Sequence, residues 1–360
     1  MTSAEDVKKV LGRIKDSGSG RSVIELGWID QVRVNPPKVI VRLTLPEFAY
    51  GQRARLADET KSLLKTIESI DEVQIELGNP PPSEGSIGNA GHGQSISLQK
   101  IPGVKKVLAI SSGKGGVGKS TVAVNLACAL STLGLKVGLL DADIYGPNTP
   151  LMLGVQDSTP EVIGSGADQQ IIPIETFGIS MVSMGLLIEE SQPVIWRGPM
   201  LNGIIRQFLY QASWGEKDIL VVDLPPGTGD AQLSLAQAVP MAGVIIVTTP
   251  QKVSLQDSRR GLAMFKQLGV PVIGVVENMT SFILPDEPQK SYPIFGSGGG
   301  NQLALENDIP LLAKIPIEMP LDGVQDDGKP IVKSRPNSKT ALLFKELADT
   351  ISSQFSKENN

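Results

Sequence analysis

The chain has 360 residues and a formal net charge of -5, with 41% hydrophobic and 20% charged residues. These proportions exclude disorder throughout, and the acidic balance supplies no overall positive field to draw in a nucleic-acid backbone or an anionic lipid surface. One cysteine, Cys128, excludes an intrachain disulfide framework, and no apolar run approaches membrane-span length, so a soluble cytoplasmic protein with no nucleic-acid and no membrane partner is expected.

Residues 1–78 read as a small α/β module. Its first helix is expected from about Ser3 to Ile14, and the mixed-charge start MTSAEDVKKVLGRIKD lacks the apolar centre of a secretory signal. Strand-like VIELGWIDQVRV (23–34) and KVIVRLTL (38–45) follow, then a helix near Arg53 to Ile67 and a strand at VQIEL (73–77). Residues 79–103, rich in Pro, Gly and Ser, read as a flexible linker. His92, the only histidine, lies there without companions for a metal site.

From residue 104 to 360, apolar runs alternate with helix-length segments: VLAIS (107–111), VGLLDAD (137–143), ILVVDLP (219–225), VIIVTTP (244–250), VIGVVEN (272–278) and LLAKIP (311–316). Continuously apolar strands alternating with helices predict an α/β fold, a mostly parallel sheet covered by helices on both faces, with ligands at the carboxyl ends of its strands. In the last segment Leu342, Leu343, Leu347, Ile351 and Phe355 mark a helix packing on that sheet. Cys128, flanked by LA and AL, reads as a small core side chain.

The motif Ser112-Gly113-Lys114-Gly115-Gly116-Val117-Gly118-Lys119-Ser120-Thr121 sits between the strand VLAIS and a helix running through Val122, Asn125 and Leu130. Strand, glycine-rich loop and helix in this order define a P-loop. The glycines let backbone N–H groups converge on phosphate oxygens, the helix N-terminus adds partial positive charge, Lys119 neutralises the β and γ phosphates, and Ser120 offers a hydroxyl to Mg²⁺. Asp141 and Asp143 end one strand and Asp223 another, so all three carboxylates fall at the same sheet edge. There they can hold Mg²⁺ or orient an attacking water.

GKGGVGKS resembles the deviant Walker A class of P-loop ATPases. That resemblance implies ATP hydrolysis, a homodimer in which Lys114 contacts phosphates across the interface, Asp143 positioning the hydrolytic water, Asp223 on Mg²⁺ with Asp141 in support, and Gly227 approaching the γ-phosphate. It also implies a base site at Asn278 with Pro316 and Ile317. Further motifs, DADIYGPNTPLMLG, WRGPM, DLPPGTGD, VTTPQKVSLQD, ENM, FGSGGG and DDGKPIV, closely resemble the Mrp family of iron–sulfur cluster carrier ATPases over nearly all of residues 104–350. The first module resembles the small MIP18-related domain that many members carry. The family implies delivery of iron–sulfur clusters to recipient apoproteins. One departure stands out. Many relatives place a Cys-x-x-Cys pair shortly after ENM, where this chain has Thr280, Ser281, Phe282, Ile283, Leu284, Pro285 and Asp286. Another cysteine that some members carry corresponds to Phe48 or Ala49. The same class includes ATP-dependent positioning proteins of the ParA and MinD branches, and an adaptor that uses ATP only to dimerise is a third reading.

Overall fold

The computed structural model describes residues 4–15, 21–44, 53–67, 69–78, 99–143, 146–164, 169–186, 198–318 and 328–357. The chain separates into two compact units, Met1–Ser95 and Ile96–Asn360. The expected linker segment 79–98, with His92, lies outside the described residues, as do Phe48, Ala49, Trp196 and Arg197.

In the first unit, α1 (Ala4–Leu11) precedes β1 (Ile29–Asn35) and β2 (Lys38–Thr44), then α2 (Arg53–Leu64) and β3 (Glu72–Gly78). β2 pairs antiparallel with β1 and parallel with β3. The apolar residues at alternate strand positions and helical spacing meet in one core, which includes Val7, Leu11, Val39, Val41, Leu56 and Leu64. One expectation is corrected: Val23–Gly27 is a series of turns and only Ile29 onward is strand. Ser22 and Glu25 explain it. The Ser22 N–H and hydroxyl both donate to the Glu25 carboxylate, at 2.8 and 2.9 Å, and the Glu25 N–H donates back to the Ser22 hydroxyl at 3.2 Å. This reciprocal pairing is the chemistry of a capping box, and with Gly27 at φ +67° it overrides the β-propensity of the apolar residues. The same hydrogen bonds hold the Glu25 carboxyl below its ordinary range.

The second unit begins with β4 (Val104–Ser112), α3 (Lys119–Thr132), β5 (Val137–Asp141), α4 (Thr149–Met152), the ribbon β6 (Val162–Ile163) and β7 (Gln170–Ile171), β8 (Ile174–Thr176) and β9 (Ile179–Ser183). It continues through α5 (Gly198–Gln211), β10 (Lys217–Asp223), α6 (Asp230–Ala238), β11 (Gly243–Thr248), α7 (Lys252–Gln267), β12 (Val272–Ile283), β13 (Ser291–Tyr292), α8 (Gly299–Asn307), β14 (Leu311–Glu318), α9 (Ile331–Ser334) and α10 (Lys339–Lys357). The main sheet runs β13-β12-β11-β4-β10-β5-β9-β8, with β14 also paired to β12. Only β8 and β13 run antiparallel to their neighbours.

Residues one apart on a strand face opposite sides, so Leu108 and Ile110 join the core under α3 and α10, while Val107 and Ala109 join the core under α5, α6 and α7. Both faces are therefore dry, which is why the sequence shows unbroken apolar strands rather than alternation. On α10 the buried stripe is Phe344, Leu347, Ala348, Ile351 and Phe355, a clean helical spacing, whereas Leu342, expected inside, is 46% exposed. Leu342 lies two residues before Phe344, about 200° around the helix, and so falls on the opposite side. Among the described residues no helix is long and apolar enough to cross a membrane.

The expected linker end at 103 is also adjusted. Ile101 is 3% exposed, and Tyr210 Oη lies 2.7 Å from the Gln99 carbonyl oxygen. A Cβ on Gly103 would strike the Gly215 backbone, so these residues are packed onto the second unit.

Candidate nucleotide site

β4 is flanked by β10 and β11, and its carboxyl end opens into the glycine-rich loop that leads to α3. Gly116 and Gly118 adopt φ of +78° and +80°, a region that L side chains rarely enter, so the loop can double back onto the helix axis. The helix receives no side-chain cap at Gly118 and has no acidic residue in its first turn. Its N-terminal donors thus lack a side-chain acceptor, the arrangement that suits an anion. Gly113 serves a different purpose: a Cβ there would collide with the backbone of Asp257 and Ser258 in α7. This glycine lets α7 press against the base of the loop.

Strand register explains the acid cluster. Asp223 on β10 pairs with Asp141 on β5 and with Ile110 on β4. Parallel neighbours lie about 4.8 Å apart, so the two carboxylates stand side by side just below the loop. Lys119 Nζ, 6% exposed, lies 2.6 Å from Asp223 Oδ1 and 3.9 Å from Asp143 Oδ2. One cation at the head of α3 therefore joins Asp223, which ends β10, to Asp143, which lies in the loop two residues past the end of β5 rather than in the strand as expected. Asp223 is fully buried and its Oδ2 has no hydrogen-bond partner, an oxygen chemically suited to a divalent cation.

Asp141 is 1% exposed. Burial first, then the Asp223 charge, push its carboxyl up to about 7, against the pull of the Asp143 N–H, Lys119 and Ser183. It accepts from the Asp143 N–H at 3.1 Å, the Thr149 N–H at 3.3 Å and the Ser183 hydroxyl at 3.0 Å. Asp141 thus organises the loop after β5 from beneath, while Asp143 reaches toward Lys119.

Two cavities of about 300 Å³ adjoin this edge. The first is lined by loop residues including Lys114, Gly116, Gly118, Lys119 and Ser120, together with Asp143. The second includes Asn278, Pro316 and Ile317, and Thr121 and Met152 line both. The phosphate loop and the expected base residues are therefore neighbours in space although more than 150 positions separate them in sequence. Asn278, 6% exposed, donates from Nδ2 to the Val117 carbonyl at 2.9 Å, and a Cβ on Gly118 would strike that amide. The amide nitrogen thus braces the loop, leaving Oδ1 as the atom to meet a ligand. Glu277 faces the other way and accepts the Gly300 N–H at 2.8 Å. A Cβ on Gly300, in the first turn of α8, would crowd the Glu277 side chain, which accounts for the glycine at that position.

Two further candidates have these surroundings. Gly227, at φ +96°, spends its N–H on the Ser112 carbonyl at 2.9 Å, so that bond must open before this N–H can meet a phosphate. Lys114 is half-buried in the lining of the loop cavity and forms no ion pair with a described residue.

Several supporting residues escaped the sequence reading. Ser183 belongs to β9, a strand whose two serines and one methionine give little β signal. Gln232 accepts from the Ser111 hydroxyl at 3.3 Å and donates to the Pro225 carbonyl, steadying the loop after β10. Asn125, 4% exposed, donates to the Thr121 carbonyl at 2.9 Å and accepts from the Val332 N–H at 3.3 Å. A lone amide within the apolar run of α3 was the one available hint.

Cys128 lies in the middle of α3, 0% exposed, with its thiol pushed up to about 12 by burial. Only thiolate reacts with alkylating agents. Native protein treated with iodoacetamide at pH 8 is therefore expected to remain unmodified by intact mass, with one adduct after denaturation; rapid native labelling would contradict this burial.

A parallel sheet with a glycine-rich loop feeding a helix, and strand-end acids gathered on its lysine, defines a P-loop NTPase of the MinD and ParA fold. The family described as NUBPL iron-transfer P-loop NTPase matches residues 103–352, and the description iron-sulfur cluster assembly protein matches residues 4–77. The chain belongs to the NUBPL iron-transfer P-loop NTPase family. An iron-sulfur cluster carrier protein of Synechocystis sp. is 48% identical over 356 residues, 99% of each chain. The iron-sulfur cluster transfer protein NUBPL of Dictyostelium discoideum is 43% identical, over 76% of this chain and 84% of its own. A nucleotide-binding protein from Archaeoglobus fulgidus in complex with ADP superposes with a TM-score of 0.52 at 33% identity, covering 68% of this chain and 88% of that one. The motif-based resemblance to iron–sulfur carrier ATPases is thus borne out at the level of family and fold.

Proposed function

We propose that this chain is a cytoplasmic, homodimeric ATPase that binds ATP with Mg²⁺ at the loop described above and uses the nucleotide cycle to deliver iron–sulfur clusters to apoproteins. The observation that carries the nucleotide reading is the placement of Lys119, which joins the head of α3 to Asp223 and Asp143. The cluster reading draws on the printed roles of the relatives.

In this proposal the backbone of Gly113–Thr121 cradles the phosphates and Lys119 moves from Asp223 to the β and γ phosphates. That movement frees Asp223 to hold Mg²⁺ together with Ser120 and with Asp141 in support, and the ion would supply charge neutralisation at the γ-phosphate. Asp143 accepts a hydrogen bond from the attacking water. The Gly227 N–H leaves Ser112 for the γ-phosphate, coupling the loop after β10 to the nucleotide state. Asn278 Oδ1 accepts from the adenine amine between Pro316 and Ile317, and Lys114 reaches the partner's nucleotide.

Asp143→Asn keeps the side chain's size but weakens its grip on water. Phosphate release is expected to fall about 10²-fold, with ATP affinity by calorimetry within about threefold of wild type. Unchanged turnover would remove Asp143 from the proposed role.

A further inference from the structure

Iron–sulfur clusters are held chiefly by thiolates, and a protein that carries one ordinarily supplies them. The whole sequence contains one cysteine and one histidine. Cys128 is sealed between the sheet and α10, among Val124, Leu130 and Phe344 in the same core. To present its sulfur at a surface, α3 would have to unwind, and α3 also carries Lys119 and Ser120. Burial holds the thiol protonated at any physiological pH.

The stretch after Asn278, residues 279–292, contains no cysteine and continues as ordinary secondary structure. β12 runs past Asn278 to Ile283 and returns through β13, with Phe282 paired to Tyr292 and Ile283 to Ser291. The connecting turn carries Leu284, Pro285, Asp286 and Glu287, and both Glu287 carboxylate oxygens accept from Lys290 Nζ, at 2.7 and 2.9 Å. Among the described residues the only acids gathered at one place are those of the nucleotide site, which offer carboxylate oxygens and no thiolate, and no further group of three His, Cys, Asp or Glu side chains is found. The donor set therefore does not fit a resident cluster.

We propose that this protein acts on iron–sulfur clusters without ligating them, and that every thiolate on the cargo comes from outside the chain. This rests on the carrier reading above and specifies its chemistry. The transfer is a ligand exchange. Each iron–thiolate bond broken on the donor is replaced by one to an acceptor cysteine, whose thiol proton passes to the released donor thiolate, and no electron moves. The chain contributes nucleotide-driven positioning of donor against acceptor, and its own side chains form none of the bonds.

The test uses the full-length chain under anaerobic conditions, wild type and Cys128→Ser. Each is incubated with ferrous iron and sulfide in three arms: without thiol, with glutathione, and with a cluster-loaded donor plus a cysteine-bearing apo-acceptor, with and without ATP. Iron, sulfide and visible absorbance are measured after desalting. The expected result is no retained cluster without thiol, and ATP-accelerated transfer to the acceptor at equal rates in both proteins. Retention only with glutathione also supports the proposal, assigning the external thiolates to a small thiol rather than a protein. A stable cluster on the wild-type chain alone overturns it: loss of that cluster in Cys128→Ser would make Cys128 a ligand, and persistence would assign oxygen or nitrogen ligands. Failure of ATP to change transfer in any arm would instead sink the carrier reading and leave the ligation result standing.

Discussion

Replacing Lys119 by Ala is expected to lower ATP turnover by at least about two orders of magnitude, the scale on which removal of one charge-stabilising donor acts. The same change should also weaken the fold. Lys119 and Asp223 are 6% and 0% exposed as a pair, and taking the cation away leaves a buried carboxylate uncompensated. Breaking a buried pair from one side costs about 3–5 kcal/mol. The two effects separate in the double variant Lys119→Ala with Asp223→Asn, which removes the stranded charge. Its urea midpoint should recover toward wild type while phosphate release stays low. Turnover by Lys119→Ala within about threefold of wild type would remove this lysine from the centre of the site.

Gly113→Ala is expected to be the most damaging of the single methyl additions in the loop. Its Cβ would overlap the Asp257–Ser258 backbone, and neither a strand end nor the second turn of α7 can yield cheaply. Overpacking of this kind costs about 3 kcal/mol. Gly115→Ala is the matched control: its new methyl meets nothing within 4 Å, so stability without nucleotide should change by no more than about 0.5 kcal/mol. Thermal denaturation of the two variants side by side decides the matter. Equal midpoints would mean that α7 does not rest on the loop.

Much of the nucleotide site was legible because P-loop chemistry is local. The glycines, Lys119 and Ser120 lie within ten consecutive residues, and backbone conformation alone brings their donors together. Asp141 and Asp223 were legible for a related reason: an apolar strand that stops at an acid places the acid at the sheet edge, and Asp143 follows two residues later in the loop. The turns at Val23–Gly27 were misread because the Ser22–Glu25 reciprocal bonding is a stronger local constraint than apolar content. The buried face of α10 was misread at Leu342 because four apolar residues in a row, Ala341 to Phe344, fit several helical phases, and only the position of the sheet selects one.

What the amino-acid sequence determined by itself is the order of strands and helices, the P-loop, the acids that could serve it and the lack of any cysteine pair for a cluster, since each of these follows from residue identity and spacing along the chain. The tertiary structure decided which groups meet: that Asp223 stands in register with Asp141, that Lys119 spans to Asp143, that Asn278 braces Val117 from 161 positions away, and that Cys128 is buried in the core. The physical reason is that parallel strands adjacent in the sheet are distant in the chain, so register between them, and the burial that follows from it, arises only when the helices close over both faces.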